Sequence, residues 1–559
     1  MTQPIWLKRY PPGVPADIDP QRFASLVDMQ RQSCARYRQR PAFTSMGTRI
    51  TFGELDRLSQ NFAAWLQQVA GLRKGERIAV MLPNLLQYPV ALFGALRAGL
   101  VVVNVNPLYT ARELRHQLDD SGATAIVVLE NFAHVLQQAL PGTAVRHVVV
   151  TRVGDLFPAG KRLWINFAVK WLKHSVPRWH LPGATAFHDA LRQGARHALQ
   201  EVLLAQQDTA FLQYTGGTTG VSKGAILTHG NLLANVEQTS AWIGGTLEEG
   251  AETVVTPLPL YHIFALTANL LTFVKWGGNN VLIANPRDLP AFISTLEKTR
   301  FTAITGVNTL FKLLLDAPGI ARVKQANGNA LKLAVAGGMA LQGAVARRWQ
   351  ALMEVPLIEG YGLTEASPIV CANPLNIQTF SGMLGLPLPS TQVAILDADG
   401  QELPFGEVGE IGVRGPQVMQ GYWKQPEESA RVFTADGWLR TGDVGVMEEE
   451  GFVRFIERSK DIVVVSGFKV YPAEIEEVAL SHPGVQEAAA VGVADERSGE
   501  AVHLFVVKKD PGLCAEALLA HCRENLTAYK LPRRIEFRTA LPKSPIGKVL
   551  RRELREGAA

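Results

Sequence analysis

Short runs rich in Val, Ile and Leu alternate with amphipathic stretches along the first third of this chain, and that alternation constrains its fold more than any other feature. The runs are 78–82 (IAVML), 101–105 (VVVNV), 125–129 (AIVVL) and 147–151 (HVVVT). Residues 90–98, between the first two, read as a helix, and 110–119 read as another. Strands separated by helices predict parallel βαβ units whose helices cover the sheet. The pattern changes over 385–423, where Gly/Pro turns recur every 8–10 residues and antiparallel β structure is expected. A hairpin-like stretch follows Gly451. A compact α+β pattern then runs to the end: helix 473–481, strands 486–492 and 502–508, helix 514–526. The predicted class is therefore α/β and α+β multidomain. It has a large N-terminal domain of parallel βαβ subdomains plus a β-barrel-like subdomain, and a small C-terminal α+β domain hinged near 456–462.

Length agrees, since 559 residues exceed the roughly 250–300 that one core fills. With 47% hydrophobic and 19% charged residues, disorder and a small disulfide scaffold are both excluded. The four cysteines (Cys34, Cys371, Cys514, Cys522) form no C-x-x-C, so zinc and redox readings lack local support and reduced thiols are expected. The first nineteen residues have neither an apolar core nor a small-residue cleavage site, so no secretory signal is expected. The most apolar long stretch, 78–106, is interrupted by Pro83, Asn84, Gln87, Pro89 and Arg97 and does not read as a spanning helix. The formal net charge of +5 is concentrated at the end, where residues 530–559 hold nine Lys/Arg against three Glu. No aromatic interleaving accompanies them, so a solvated terminal helix is expected and nucleic acid is not.

The strongest local motif is Tyr214-Thr-Gly-Gly-Thr-Thr-Gly-Val-Ser-Lys-Gly-Ala225. Backbone N–H groups, hydroxyls and one cation in a glycine-rich loop suit a polyphosphate. It is not a Walker A loop, because Gly224 follows Lys223 where that motif needs Ser or Thr; a plain hairpin turn is the alternative. Glu359-Gly-Tyr-Gly-Leu-Thr-Glu365 offers a ring to stack on a purine and a carboxylate for Mg²⁺, or else a turn capped by a helix start. In Gly437-Trp-Leu-Arg-Thr-Gly-Asp443 the carboxylate suits ribose hydroxyls, or is a turn Asp. Glu457-Arg-Ser-Lys-Asp461 is a charge cluster. Leu541-Pro-Lys-Ser-Pro-Ile-Gly-Lys548 presents a lysine from a rigid loop.

The order and spacing of these segments resemble the adenylate-forming superfamily of acyl-CoA synthetases, adenylation domains and luciferases over essentially the full length. Segments such as NLLQYPVALFGALRAG, VVNVNPLYTARELRHQL, FTAITGVNTLF and SGFKVYPAEIEEV resemble the bacterial long-chain fatty acid–CoA ligases in particular. The resemblance implies an ATP-dependent ligase with Mg²⁺ as cofactor and ATP and CoA as co-substrates. A long-chain fatty acid would become an acyl-adenylate with release of pyrophosphate, then an acyl-CoA with release of AMP, feeding fatty acid degradation and lipid metabolism. It implies that Tyr214, Thr215, Gly216, Gly217, Thr218, Thr219, Gly220, Val221, Ser222, Lys223, Gly224 and Ala225 serve the β- and γ-phosphates. Thr215 and Glu365 would ligate Mg²⁺. Gly337, Gly338, Glu359, Gly360 and Tyr361 would surround adenine, with Gly362 and Thr364 in the same ATP-binding segment, while Asp443 and Arg458 hold the ribose. Lys548 would bridge the α-phosphate and the carboxylate. His262 would lie beside the acyl carboxylate, or be a core histidine capping a carbonyl.

The implied domains are 1–457, a hinge at 458–462 pivoting on Lys460, and a mobile 463–559. Ser466, Gly467 and Phe468 would line the CoA passage. Residues 259–266 and 335–339 would border the acyl tunnel, where Leu266 stands in place of the tryptophan gate of some members. Competing readings are a medium-chain or aryl-CoA ligase, and a non-catalytic membrane-associated lipid-binding protein.

Residues 156–188 hold five basic residues (Lys161, Arg162, Lys170, Lys173, Arg178), three tryptophans and no acid. On a helix, Trp164, Phe167, Ala168, Trp171 and Leu172 share one face, and Arg162, Lys170 and Lys173 lie opposite. That is the pattern of an interfacial helix collecting insoluble substrate from a bilayer; packing on the protein itself is the alternative. The expected location is cytoplasmic, partly peripheral on the inner membrane surface, with a homodimer compatible.

Overall fold

The computed structural model describes residues 4–215, 222–465, 468–495, 498–544 and 547–557. The chain divides into two units, one comprising Met1–Gln392 and Arg414–Phe433, the other Val393–Val413 and Thr434–Ala559.

In the first unit the alternating runs build two sheets. The four early runs appear as strands Arg77–Met81, Val101–Asn104, Ala125–Leu129 and His147–Thr151, within a residue or two of their expected ends. They pair in parallel, with Arg77–Met81 between Val101–Asn104 and Ala125–Leu129. Thr209–Thr215 continues the sheet beside Val101–Asn104. Lys223–Thr228 closes it as an antiparallel edge. The helix after Thr110 runs from Ala111 to Ser121 because Thr110 and Glu113 satisfy each other's backbone N–H in a capping box. Its Leu114 and Leu118 pack on Ala79, Met81, Val103, Ile126 and Val128, all inaccessible to solvent. A second sheet carries Thr253–Thr256, Ala303–Gly306, Leu333–Gly337 and Leu357–Gly362 as parallel neighbours in that order. Burial along most of their length fits strands covered on both faces.

In the second unit two strands from the segment rich in Gly/Pro turns, Gln392–Leu396 and Gly409–Arg414, join Leu439–Met447 and Val453–Arg458 in a four-stranded sheet in that order, antiparallel from Gly409–Arg414 onward. A further sheet pairs Val485–Asp495 with Gly499–Lys508 in antiparallel fashion, and Arg534–Arg538 alongside in parallel. Helices Pro472–Ser481 and Ala515–Asn525 contribute Ile475, Ala479, Leu518 and Cys522 to the core beneath it. Among the described residues no helix is long and apolar enough to cross a membrane.

Candidate active site

Two clusters gather the residues singled out in the sequence, one in each unit.

In the first unit, strands Thr209–Thr215 and Lys223–Thr228 form the arms of the hairpin that carries the glycine-rich motif, with Thr215 opposite Lys223 and Tyr214 opposite Gly224. Gly216, Gly217, Thr218, Thr219, Gly220 and Val221 lie outside the described residues. Ser222 is half-buried and Ala225 fully buried at the hairpin base. The outer edge of Lys223–Thr228 is covered by a returning segment: the Ile226 N–H donates to the Gly421 carbonyl (2.9 Å), and the Trp423 N–H to the Gly224 carbonyl (2.8 Å). That return brings in Tyr422 and Glu428, which the sequence motifs do not mark. Lys223 donates to Glu428, and its Nζ lies 5.5 Å from the centre of the Tyr422 ring. The lysine holds the Glu428 carboxyl below the usual carboxylate range. The Tyr422 hydroxyl donates to Glu365 Oε1 at 2.8 Å, and burial together with that carboxylate pushes the phenol well up. Glu365 and Lys223 thus meet through one tyrosine.

Glu365 lies in the helical turn Thr364–Ala366, directly after strand Leu357–Gly362. That strand pairs in parallel with Leu333–Gly337, placing Glu359 beside Ala336 and Gly360 beside Gly337. Gly337, Glu359, Gly360 and Tyr361, the residues expected around adenine, therefore lie at the carboxyl ends of adjacent parallel strands, where open α/β sheets bind ligands. Two glycines are required there. Gly338 has φ of +77°, and a Cβ on Gly362 would lie 2.1 Å from the Pro368 carbonyl oxygen. Tyr361 is buried on the same strand. Glu359 is buried too, and its Oε1 accepts the Leu341 N–H at 3.1 Å. Burial pushes its carboxyl up to about 7, against the opposing pull of that N–H. His262 is half-buried, and its Nδ1 accepts the Phe264 N–H at 3.4 Å. Leu266 is fully buried in the π-helical run Ala265–Leu271.

In the second unit, Asp443 and Arg458 are cross-strand partners, and Arg458 Nε lies 3.1 Å from Asp443 Oδ1. Asp443 is buried, with 5% of its side chain exposed against 38% for Arg458. Lys548 belongs to the same cluster. Its turn is closed by the Ser544 N–H donating to the Lys548 carbonyl (2.7 Å) and the Lys548 N–H donating to Ser544 Oγ (3.1 Å). Burial, then the Arg458 guanidinium, push the Lys548 ammonium down to about 8, while Asp443 pulls the other way. Lys460 sits exposed in the helical turn Ser459–Asp461; partial desolvation lowers its pKa and the neighbouring Asp461 opposes the shift. Phe468 is exposed and stacks on Tyr529 with ring centres 4.9 Å apart. Ser466 and Gly467 lie outside the described residues.

The second unit also holds two charges the sequence motifs do not mark, Arg551 and Glu476. Arg551 pairs with Glu457, Asp461 and Glu476. Only the charge cluster at 457–461 hinted at them, because the partners lie 75–94 residues away.

The segment 159–172 is helical through Ala159–Phe167 and Ala168–Leu172, and neither stretch buries a side chain. Asn166 holds the helix down through the Gly154 N–H (2.8 Å) and Asp155 Oδ1 (3.2 Å). Leu163, Trp164, Phe167, Trp171 and Leu172 are 49–68% exposed. The apolar face is turned to solvent and is not packed on the protein.

Residues 30–423 match the family described as AMP-binding enzyme, and 474–548 match the AMP-binding enzyme C-terminal domain. The chain is 56% identical over 554 residues to a long-chain-fatty-acid–CoA ligase of Escherichia coli O6:H1, covering 99% of this chain and 98% of that protein. It is 48% identical to the protein of the same name from Haemophilus influenzae, at the same coverage. Among solved structures, a benzoate CoA ligase from Burkholderia xenovorans LB400 superposes with a TM-score of 0.81 at 26% identity, covering 95% of this chain and 99% of that one.

Proposed function

The chain belongs to the AMP-binding enzyme family, and from that membership we propose that it is an ATP-dependent ligase converting long-chain fatty acids to acyl-CoA through an acyl-adenylate. The full-length likeness to long-chain-fatty-acid–CoA ligases carries this reading.

The chemistry explains why two clusters of this composition are needed. A carboxylate resists attack by a thiolate because its leaving group would be oxide. Joined to AMP, it becomes a mixed anhydride that CoA can cleave. In the first step the carboxylate attacks the α-phosphate, and negative charge gathers on that phosphorus and on departing pyrophosphate, so placed cations lower the barrier. Lys548 is our cation for the α-phosphate, supported by its place beside the Asp443–Arg458 pair, which we assign to the ribose. Lys223 is assigned to the outer phosphates, whose charge would take over from Glu428. Glu359, Gly360, Tyr361, Gly337 and Gly338 are assigned to adenine. With Oε1 held by Tyr422, Glu365 presents a second oxygen, and a hard oxygen donor of this kind suits Mg²⁺ with Thr215 as neighbour. Bound there, Mg²⁺ would spread phosphate charge. His262 is assigned to the acyl carboxylate. Residues 463–559 would turn about 458–462 between the two steps, with 466–468 serving the CoA passage.

The test is an acyl series. CoA-dependent AMP formation with oleate should exceed that with octanoate and benzoate by about ten-fold or more in kcat/KM. Preference for benzoate or octanoate, or absence of AMP, would sink the long-chain assignment.

We also assign the exposed helix to a bilayer surface, from which an insoluble substrate is collected. Five large apolar side chains face outward, with Arg162, Lys173 and Arg178 nearby and no acid in 156–188. Lys170 is engaged with Glu130 (3.4 Å) and is left out of the test. Reversing Arg162 and Lys173 to Glu should weaken partition onto phosphatidylglycerol vesicles by about ten-fold or more, with activity on detergent-dispersed oleate retained. Equal partition of parent and variant would remove the assignment.

A further inference from the structure

Arg551 opens the helix Arg551–Glu556, three residues after Lys548. Its Nη1 donates to Glu457 Oε1 at 2.9 Å and to Asp461 Oδ2 at 3.2 Å. Its Nη2 donates to both oxygens of Glu476 at 2.9 Å. Glu457 precedes Lys460 in the chain, Asp461 follows it directly, and Glu476 lies in the helix beyond. One guanidinium therefore binds carboxylates on both sides of the pivot. Arg555 adds a contact to the remaining Asp461 oxygen at 3.2 Å. The carboxylates are otherwise satisfied from the backbone: Glu457 accepts the N–H groups of Arg458 (2.9 Å) and Ala473 (2.8 Å), and Glu476 accepts that of Ala490 (2.8 Å).

Three carboxylates around one arginine are a poor way to gain stability. Side-chain exposures of 1%, 9% and 17% mean that each anion has lost much of its water, and desolvation consumes most of the attraction. Such clusters are better suited to fixing one arrangement. Here the arrangement is specific, because Glu457 is the immediate neighbour of Arg458, which pairs with Asp443, and Arg551 is three residues from Lys548. Its planar fork, which a lysine cannot reproduce, closes a ring from the Asp443–Arg458 pair to the Lys548 turn.

We propose that Arg551 is the positioning residue for acyl-adenylate formation, holding Lys548 at the Asp443–Arg458 pair by clasping Glu457 and Asp461, and that it must let go before the thioester step. The proposal rests on the function above.

The experiment uses the full-length protein and follows the two half-reactions separately: oleate-dependent exchange of pyrophosphate into ATP, and conversion of supplied oleoyl-adenylate and CoA to thioester. Arg551→Ala should lower the first by about ten-fold or more while leaving the second within about two-fold of the parent or faster. Arg551→Lys, which keeps the charge and loses the fork, should fall between. Arg552→Ala, on the exposed side of the same helix where it pairs with Glu556 at 3.3 Å, should match the parent in both. Should Arg551→Ala fail to fold by circular dichroism, Asp461→Asn, which removes one carboxylate charge from the clasp and leaves two, should show the same split. Equal slowing of both half-reactions, a loss confined to the thioester step, or no change would each overturn the proposal. A parent that makes no oleoyl-adenylate would overturn the function with it, whereas an active parent beside an unsplit variant overturns the Arg551 assignment alone.

Discussion

Lys548→Ala is expected to slow acyl-adenylate formation by about 10²–10³-fold, while supplied acyl-adenylate is still converted to thioester at close to the parental rate. The reason lies in when charge appears. Negative charge develops at the α-phosphate only while the carboxylate attacks, so a cation there stabilises that transition state and has no comparable task once AMP is the leaving group. Stopped assays of each half-reaction make the comparison; equal loss in both would sink the assignment. A pH profile adds an independent readout. The Lys548 ammonium is held down to about 8 by burial and by Arg458, so it loses its proton as the pH rises through that value. Since kcat/KM reports the free enzyme, kcat/KM for the adenylation step should fall above pH of about 8, and that titration should vanish in Lys548→Ala. A profile unchanged by the substitution would exclude Lys548 as the titrating group.

Glu365→Gln is the second large effect. Glutamine keeps an oxygen to accept the Tyr422 hydroxyl, which the carboxylate accepts at 2.8 Å, but removes the charge that suits a hard cation. Adenylation at a fixed, low Mg²⁺ concentration should drop about 10²-fold and recover partly as Mg²⁺ is raised. Tyr422→Phe, which removes the hydroxyl and leaves the charge, should cost far less. If Glu365→Gln matched the parent at every Mg²⁺ concentration, the metal assignment would fail and Glu365 would remain only an acceptor for Tyr422.

What the sequence makes legible is local. The runs at 78–82, 101–105, 125–129 and 147–151 announce strands because β-branched residues and helix-capping signals act over a few residues, and the structure places strands there. Thr110 and Glu113 mark a helix start for the same reason. The amphipathic stretch 159–172 shows the limit. Its periodicity is the same whether the apolar face is covered or bare, and only packing reveals that Trp164 and Trp171 are exposed. Long-range chemistry is the least visible. Nothing near Lys223 announces Glu428, 205 positions later, and the basic tail that reads as a solvated helix contains Arg551, half-buried among acids. Charge composition reports how many ions a segment has, and the fold alone decides which of them lose their water.

The second unit is stitched from two separate lengths of chain, Val393–Val413 and Thr434–Ala559, with 414–433 belonging to the first. Its sheet joins them in register, Gly409 against Gly445 and Val413 against Leu439, with Val413 and Leu439 both buried. The consequence is genetic. A single recombination event within 414–433, between this gene and a diverged relative, would place Gly409–Arg414 from one parent against Leu439–Met447 from the other, across a buried seam selected in neither. Exchange of the whole second unit needs three breakpoints, one before Val393 and two that return 414–433 to its own parent. Inheritance of the two units is therefore coupled, and shuffled descendants that exchange one unit cleanly should be rarer than those in which the full length travels together.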